Sequence, residues 1–293
     1  MNFMNKNLCV IGGDLRIVKL VEILVNDGYT VYTYALEEAE SLNQNKDIVQ
    51  CKNIVDAISK SQIVIGPIPL SSNKIDINTP FSKENISIEE LVPKLDGKTF
   101  IAGSIGEEFI NIAKDKNVEV IDLMTREELT VLNTISTAEG AIQIAMQETL
   151  STIHGSNVLV LGFGRIGKIL SKMLNGIGAR VSCEARKESD IAWIKAYGYN
   201  PIHLNVLDDS IGNYDIIINT IPSIILDNDR LDKVKKDCLI IDLASNPGGV
   251  DREAAKHKGI KTIWALSLPG KVAPITSAEF LKETIYNIFK EIK

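Results

Sequence analysis

Residues 158–167 read VLVLGFGRIG. An apolar run that breaks at glycine and restarts as a helical pattern fits few arrangements: a buried parallel strand, a tight turn, and a crossover helix. Gly162, Gly164 and Gly167 have the spacing G-x-G-x-x-G, and each has a task. The first permits the turn, the second lets backbone amides approach a pyrophosphate, and the third lets helix and strand pack closely. The stretch therefore predicts a dinucleotide site built from Gly162, Gly164, Arg165, Ile166 and Gly167.

A second strand–glycine–helix stretch, CVIGGDLR at 9–16, competes for the same role. It lacks the third glycine and puts Asp14 where a diphosphate would bind, so it is the poorer nucleotide cradle. It still ends a parallel strand, where ligands of open α/β sheets collect. Arg16 at the helix start suits a small carboxylate. The alternative is that Asp14 only caps the helix and Arg16 lies in solvent.

The strand after the glycine motif ends Cys183-Glu184-Ala185-Arg186-Lys187. A strand tip at Glu184 would bond a ribose diol and prefer NAD; a tip at Ala185 leaves Arg186 and Lys187 to hold a 2′-phosphate. Two adjacent cations favour NADP over NAD.

The same rhythm runs through the whole chain. Strands are expected at 8–11, 30–34, 63–65, 99–102 and 119–122, and again at 157–161, 180–183, 216–220, 239–242 and 261–265, with amphipathic segments between them. A helix is expected at 134–150, and another at 277–293 whose apolar face must be covered, so it is expected to pack back on the first domain. The fold class is therefore α/β: two doubly wound Rossmann-like domains with parallel sheets, joined by a long connecting helix, with the active-site cleft between them. The expected domains are 1–133 plus 277–293, a flavodoxin-like variant for substrate or partner; the connecting helix 134–152; and the NADP-binding domain 153–276. Residues 67–85 form the longest irregular stretch, expected to be either functional or a mobile surface excursion.

With 293 residues, 45% apolar, the chain can bury two cores. The net charge of −6 and the lack of any long basic run argue against nucleic acid. No segment has the length of a signal peptide or a membrane span, so a cytoplasmic location is expected. Cys9, Cys51, Cys183 and Cys238 are scattered, without metal-binding spacing.

Five stretches carry a resemblance: VIGGDLR (10–16), STAEGAIQIAMQETLSTIHGSNVLVLGFGRIG (136–167), INTIPSIIL (218–226), IDLASNPGGVD (241–251) and LPGKVAPITSAE (268–279). Together they make the chain resemble the dipicolinate synthase A-subunit family of spore-forming bacteria, from the first strand to the last helix. The resemblance implies oxidation of dihydrodipicolinate, a branch-point compound of lysine biosynthesis, to pyridine-2,6-dicarboxylate. It implies as partner the small flavoprotein-like B subunit of dipicolinate synthase, with any flavin on that partner, and a place in the mother cell during sporulation. It assigns no catalytic residue here, so the site rests on chemistry.

Oxidising a dihydropyridine to a pyridine removes a hydride and a proton, and the gain of aromaticity means that a strong base is not required. The site needs charge complementarity to two carboxylates and a nicotinamide held beside the ring. On the nucleotide side the expected wall is Thr220, Ile221, Pro222 and Ser223, then Ala244 and Ser245, then Pro269 and Gly270. On the substrate side it is Asp14, Arg16, Pro67, Ser71 and Ser104, with the amides of 103–106 holding one carboxylate and Arg16 the other. Thr137 and Glu139 begin the connecting helix as expected here. Glu139 either takes the proton or caps the helix. Ser245 and His154 complete the candidates for proton handling, although a structural hydrogen bond explains His154 equally well. His203 and His257 look solvated. No metal is expected, and a homodimer is.

Two other readings stay open. A 2-hydroxyacid dehydrogenase would need an imidazole after the last Rossmann strand, where WALSLPGKVAP (264–274) has none. PGKVAPIT also resembles a loop of methylenetetrahydrofolate dehydrogenases, but the first half has no Tyr-x-x-x-Lys pair. A non-catalytic NADP-binding scaffold for the flavin partner is the remaining alternative.

Overall fold

The computed structural model describes residues 6–292. The chain forms two compact units: the first runs to Thr130 and resumes at Ala273, and the second is Val131–Val272.

The first unit contains β1 (Asn7–Ile11), α1 (Leu15–Asn26), β2 (Thr30–Tyr34), β3 (Ile48–Gln50), α2 (Ile54–Ser59), β4 (Ile63–Ile65), α3 (Ile88–Leu91), β5 (Thr99–Ala102), α4 (Glu107–Lys114) and β6 (Glu119–Asp122). Its sheet is parallel with the order β3-β2-β1-β4-β5-β6. This is the Rossmann order rather than the flavodoxin-like one expected, because β3 joins the edge beyond β2. Three residues with Val49 exposed give β3 little pattern to read.

Helix α5 (Glu127–Glu148) carries the chain into the second unit. It starts at Glu127 rather than at the expected Thr134, with two acidic residues in its first turn to suit the helix dipole.

The second unit contains β7 (Asn157–Leu161), α6 (Arg165–Ile177), β8 (Arg180–Ala185), α7 (Glu188–Ala196), β9 (Asn200–His203), α8 (Leu207–Ser210), β10 (Ile216–Asn219), α9 (Asn228–Leu231), β11 (Leu239–Asp242), α10 (Arg252–His257), β12 (Thr262–Trp264) and α11 (Leu268–Val272). Its parallel sheet, β12-β11-β10-β7-β8-β9, is again the Rossmann order, with the reversal between β7 and β10. Strand β9 is the second edge strand that the pattern did not announce, since Pro201 lies inside it. Pro269 and Gly270, expected in the nicotinamide wall, lie in the short helix α11.

Helix α12 (Pro274–Glu291) begins with proline, whose missing amide proton costs nothing there. Ala278, Leu281, Ile285, Ile288 and Phe289 join the core of the first unit with Leu20, Val21 and Leu24 of α1. Burying four large apolar side chains of this kind contributes roughly 1.5–3 kcal/mol each before entropy is counted. At its edge Tyr286 Oη donates to Asp27 Oδ2 and Lys282 Nζ pairs with the same oxygen, both at 2.7 Å. Arg126 makes a two-pronged pair with Glu291 at 2.6 and 2.7 Å.

Residues 67–85 are held down rather than loose. Ile68, Leu70 and Ile77 are buried in the core.

Candidate coenzyme site

The two glycine turns have opposite fates. At the first, Gly12 N–H donates to Tyr34 O and Gly13 N–H to Asn78 O, both at 2.9 Å. Asp14 is the N-cap of α1 and accepts the Arg16 amide at 3.1 Å. The Arg16 side chain is buried at 6% exposure, not in solvent, and its guanidinium is committed to Asp14, at 3.0 and 2.7 Å, and to the Ile68 carbonyl. The Gly12, Gly13 and Arg16 amides are spent and the cation is committed, so Arg16 and Asp14 are a closed ion pair here rather than a carboxylate receptor. Pro67 is buried beside the turn: a Cβ on Gly12 would lie 3.5 Å from its ring.

The amides after β5 are also taken. Ser104 N–H and Ile105 N–H donate to the two carboxylate oxygens of Asp122, each at 2.9 Å, which corrects the expectation that they wait for a ligand. Ser71 and Ser104 do come together, lining a cavity of about 290 Å³ with Lys74, Glu107 and Glu108.

At the second turn Gly162 has φ +89°, and a Cβ there would meet Thr220 Oγ1 at 2.6 Å. A Cβ on Gly167 would meet the Gly162 carbonyl at 2.1 Å, so the helix can sit this close only without a side chain. A Cβ on Gly164 would meet nothing within 4 Å: it faces open space, where a diphosphate needs to approach. Gly164 is also the N-cap of α6, with no side chain to satisfy the first turn. The Lys168 amide donates to the Gly164 carbonyl at 3.0 Å, whereas those of Ile166 and Gly167 have no partner among the described residues. Unspent amides at the positive end of a thirteen-residue helix are an anion site. The residues present fit a dinucleotide.

Strand β8 extends through Ala185, which is buried, so Arg186 and Lys187 stand exposed just beyond the tip. Glu184 lies one residue earlier, 1% exposed, and its Oε2 accepts the Gly162 amide at 3.2 Å. Burial pushes its carboxyl up, against the opposing pull of the Gly162 amide and of Arg186, Arg230 and His203.

The loops after β10 and β11 are shaped by two fully buried polar residues. Asn219 Nδ2 donates to Asp242 Oδ1 at 2.7 Å and to Ile221 O at 3.0 Å, while its Oδ1 accepts the Ile221 amide at 3.0 Å. Asp242 also accepts the Ala244 amide at 3.1 Å and the Gly249 amide at 2.9 Å. Thr220 Oγ1 donates to Leu161 O at 2.8 Å, so Thr220–Ser223 and Ala244–Gly249 leave the sheet on fixed paths, with Pro222, Ser223 and Ser245 exposed. Sequence reasoning missed this pair, although a polar residue closing an otherwise Ile-rich buried strand was its signal.

In α5, Gly140 lets the helix approach Leu268, the residue before Pro269 and Gly270: a Cβ there would lie 3.2 Å from that side chain. Thr137 spends its hydroxyl on the Asn133 carbonyl at 2.8 Å. Glu139 is exposed in the middle of α5, not in its first turn, so the capping explanation fails. His154 is corrected more firmly. Its Nδ1 sits 3.1 Å from Ile177 O and its ring against Gly178, at the C-terminal end of α6. The glycine turn is at the other end, about 20 Å away along the helix. His154 therefore serves packing. His203, at the end of β9, accepts the Asn205 amide at 3.2 Å and is half-buried, not solvated.

Family comparisons divide the chain in the same way. Residues 7–124 match the N-terminal domain of the dipicolinate synthase A subunit, and 135–255 match the NAD-binding domain of D-isomer-specific 2-hydroxyacid dehydrogenases. The dipicolinate synthase A subunit of Bacillus subtilis (strain 168) is 33% identical over 290 residues, covering 98% of this chain and 96% of that one. The chain belongs to the dipicolinate synthase A-subunit family. The crystal structure of the Bacillus subtilis protein superposes with a TM-score of 0.87 at 32% identity, covering 98% of this chain and 96% of that one. The corresponding protein from Bacillus halodurans gives 0.88 at 28% identity, with 98% and 99% covered. In class this family member is an NAD(P)-dependent oxidoreductase, its nicotinamide coenzyme held by the second unit. Among the described residues, no helix is long and apolar enough to cross a membrane.

Proposed function

We propose that this chain is the dehydrogenase component that oxidises dihydrodipicolinate to dipicolinate with NADP, in sporulating cells and together with a flavoprotein-like B subunit. The observation that carries the reading is the glycine turn at 162–167, whose Ile166 and Gly167 amides are unspent among the described residues and whose middle glycine faces open space, next to Arg186 and Lys187 at a strand tip of alanine.

In this reading the turn amides hold the diphosphate, and Arg186 with Lys187 hold the 2′-phosphate. The rigid loops at Thr220–Ser223 and Ala244–Ser245, with Pro269 and Gly270, wall the nicotinamide. Bound there, the coenzyme supplies the hydride acceptor. Ser71 and Ser104 are the substrate-side candidates, and Lys74 beside them adds a cation for a carboxylate. Glu139 and Ser245, both exposed, remain to carry off the ring proton, an undemanding step because the product is aromatic.

That exposure favours a second reading, in which the chain binds NADP and positions the flavin partner without doing chemistry. An anaerobic assay of the purified chain with enzymatically made dihydrodipicolinate and NADP separates the two. NADPH formation by this chain alone supports the first; turnover that begins only when the flavoprotein partner is added supports the second.

A further inference from the structure

Glu184 is a carboxyl buried directly behind the coenzyme turn, and only half of it is explained. One oxygen holds the Gly162 amide at 3.2 Å; the other, Oε1, has no hydrogen-bond partner among the described residues although the side chain is 1% exposed. A buried carboxylate oxygen without a donor is costly. A neutral carboxylic acid accepts the same amide through its carbonyl oxygen and becomes a donor at the other.

The cations around Glu184 are themselves largely committed. Arg230, from α9, bonds Asp208 Oδ1 at 2.7 Å, and Lys233 lies 3.5 Å from the same carboxylate. His203, at the end of β9 and in register with Ala185, lies 4.0 Å from Glu188. Arg186 lies just past the end of β8 and, in the reading above, turns to the 2′-phosphate. Burial and an anionic ligand at the adjoining amides thus act in the same direction on Glu184, both disfavouring its charge.

We propose that Glu184 is a positioning residue of the coenzyme turn that works as the neutral acid, so that binding of a dinucleotide takes up a proton at this side chain. The inference rests on the assignment of the coenzyme to residues 162–167. It predicts that the affinity for NADP falls as pH rises through the titration of Glu184 in the free protein, by up to about tenfold per pH unit. Glutamine in its place, a permanent mimic of the neutral acid, loses that dependence.

The test is calorimetric titration of NADP and of NAD into the full chain and into Glu184→Gln, over the pH range in which both are folded, in pairs of buffers that differ in protonation enthalpy. The nucleotide's own phosphate titrates in both proteins, so the difference between them reports Glu184. Greater proton uptake by the wild type than by E184Q, approaching one per site, is the expected result. Binding with equal proton uptake in the two proteins overturns the role of Glu184 and leaves the coenzyme site standing. No binding of either nucleotide by either protein overturns both. Should E184Q fail to fold, the infrared difference spectrum of the wild type on adding NADP decides: a gained carboxylic-acid C=O band is expected, and an unchanged carboxyl region overturns the proposal.

Discussion

Asn219 and Asp242 stand opposite each other in register at the ends of β10 and β11, with their side chains 2.7 Å apart and neither exposed to solvent. Two loops hang from this pair. Asp242→Ala strands one N–H of the Asn219 amide and the backbone amides of Ala244 and Gly249 in the interior. Each buried donor left alone costs about 1–3 kcal/mol, so a loss of about 3 kcal/mol or more is expected. The urea midpoint of the purified variant measures it, and an unchanged midpoint would show that the network is not what holds these loops.

Gly164 and Gly167 divide binding from stability. Gly164→Ala adds a methyl group to open space and costs the fold about 1 kcal/mol or less, since an alanine N-cap is only mildly unfavourable. It obstructs the diphosphate, so NADP affinity falls at least about tenfold. Gly167→Ala drives a Cβ into the Gly162 carbonyl and destabilises the fold by about 3 kcal/mol. Thermal denaturation with and without NADP reads both effects.

Arg186 is exposed one residue beyond the buried Ala185. A charge-assisted bond to the 2′-phosphate is worth about 1.5–3 kcal/mol, so Arg186→Ala weakens NADP by roughly 10- to 150-fold. NAD has no such phosphate, and its dissociation constant stays within about twofold. Equal losses for both nucleotides would place Arg186 elsewhere.

Because His154 packs at the far end of α6, His154→Gln leaves kcat within about twofold while lowering the melting temperature. A steady-state assay beside a melting curve separates the two effects. A large loss of kcat with an unchanged melting temperature would restore a chemical role.

At Asp27, burial raises the carboxyl, but the hydrogen bonds from Lys282 and Tyr286 and the Lys282 charge outweigh it, so its pKa is lowered. A depressed carboxyl stabilises the fold above its unfolded pKa and loses that contribution as pH falls through the folded one. The attachment of α12 to α1 therefore weakens below the usual carboxylate range. The side chain is one-third exposed, which limits the effect to about 1 kcal/mol or less. Asp27→Asn removes the acid dependence, as hydrogen exchange along α12 between neutral and acid pH would show.

The central strands were legible because each is a short unbroken run of Val, Ile and Leu, the composition of a strand buried on both faces. The edge strands β3 and β9 were not, since three residues or an internal proline leave no period to find. Gly162, Gly164 and Gly167 were legible because their spacing is local. The fate of Arg16 was not: its partners, the Asp14 carboxylate and the Ile68 carbonyl, include one 52 residues away that a folded loop brings in. Glu139 was misread through the start of α5, which lies seven residues earlier than expected, at Glu127 rather than Thr134.

Because α12 completes the core that α1 and the first sheet begin, the two units become whole at different moments of synthesis. The second is a single uninterrupted segment, finished once Val272 has left the ribosome tunnel. The first, though begun earlier, keeps part of its apolar surface uncovered until residues 274–291 emerge, and such transiently exposed surface is prone to misassociation.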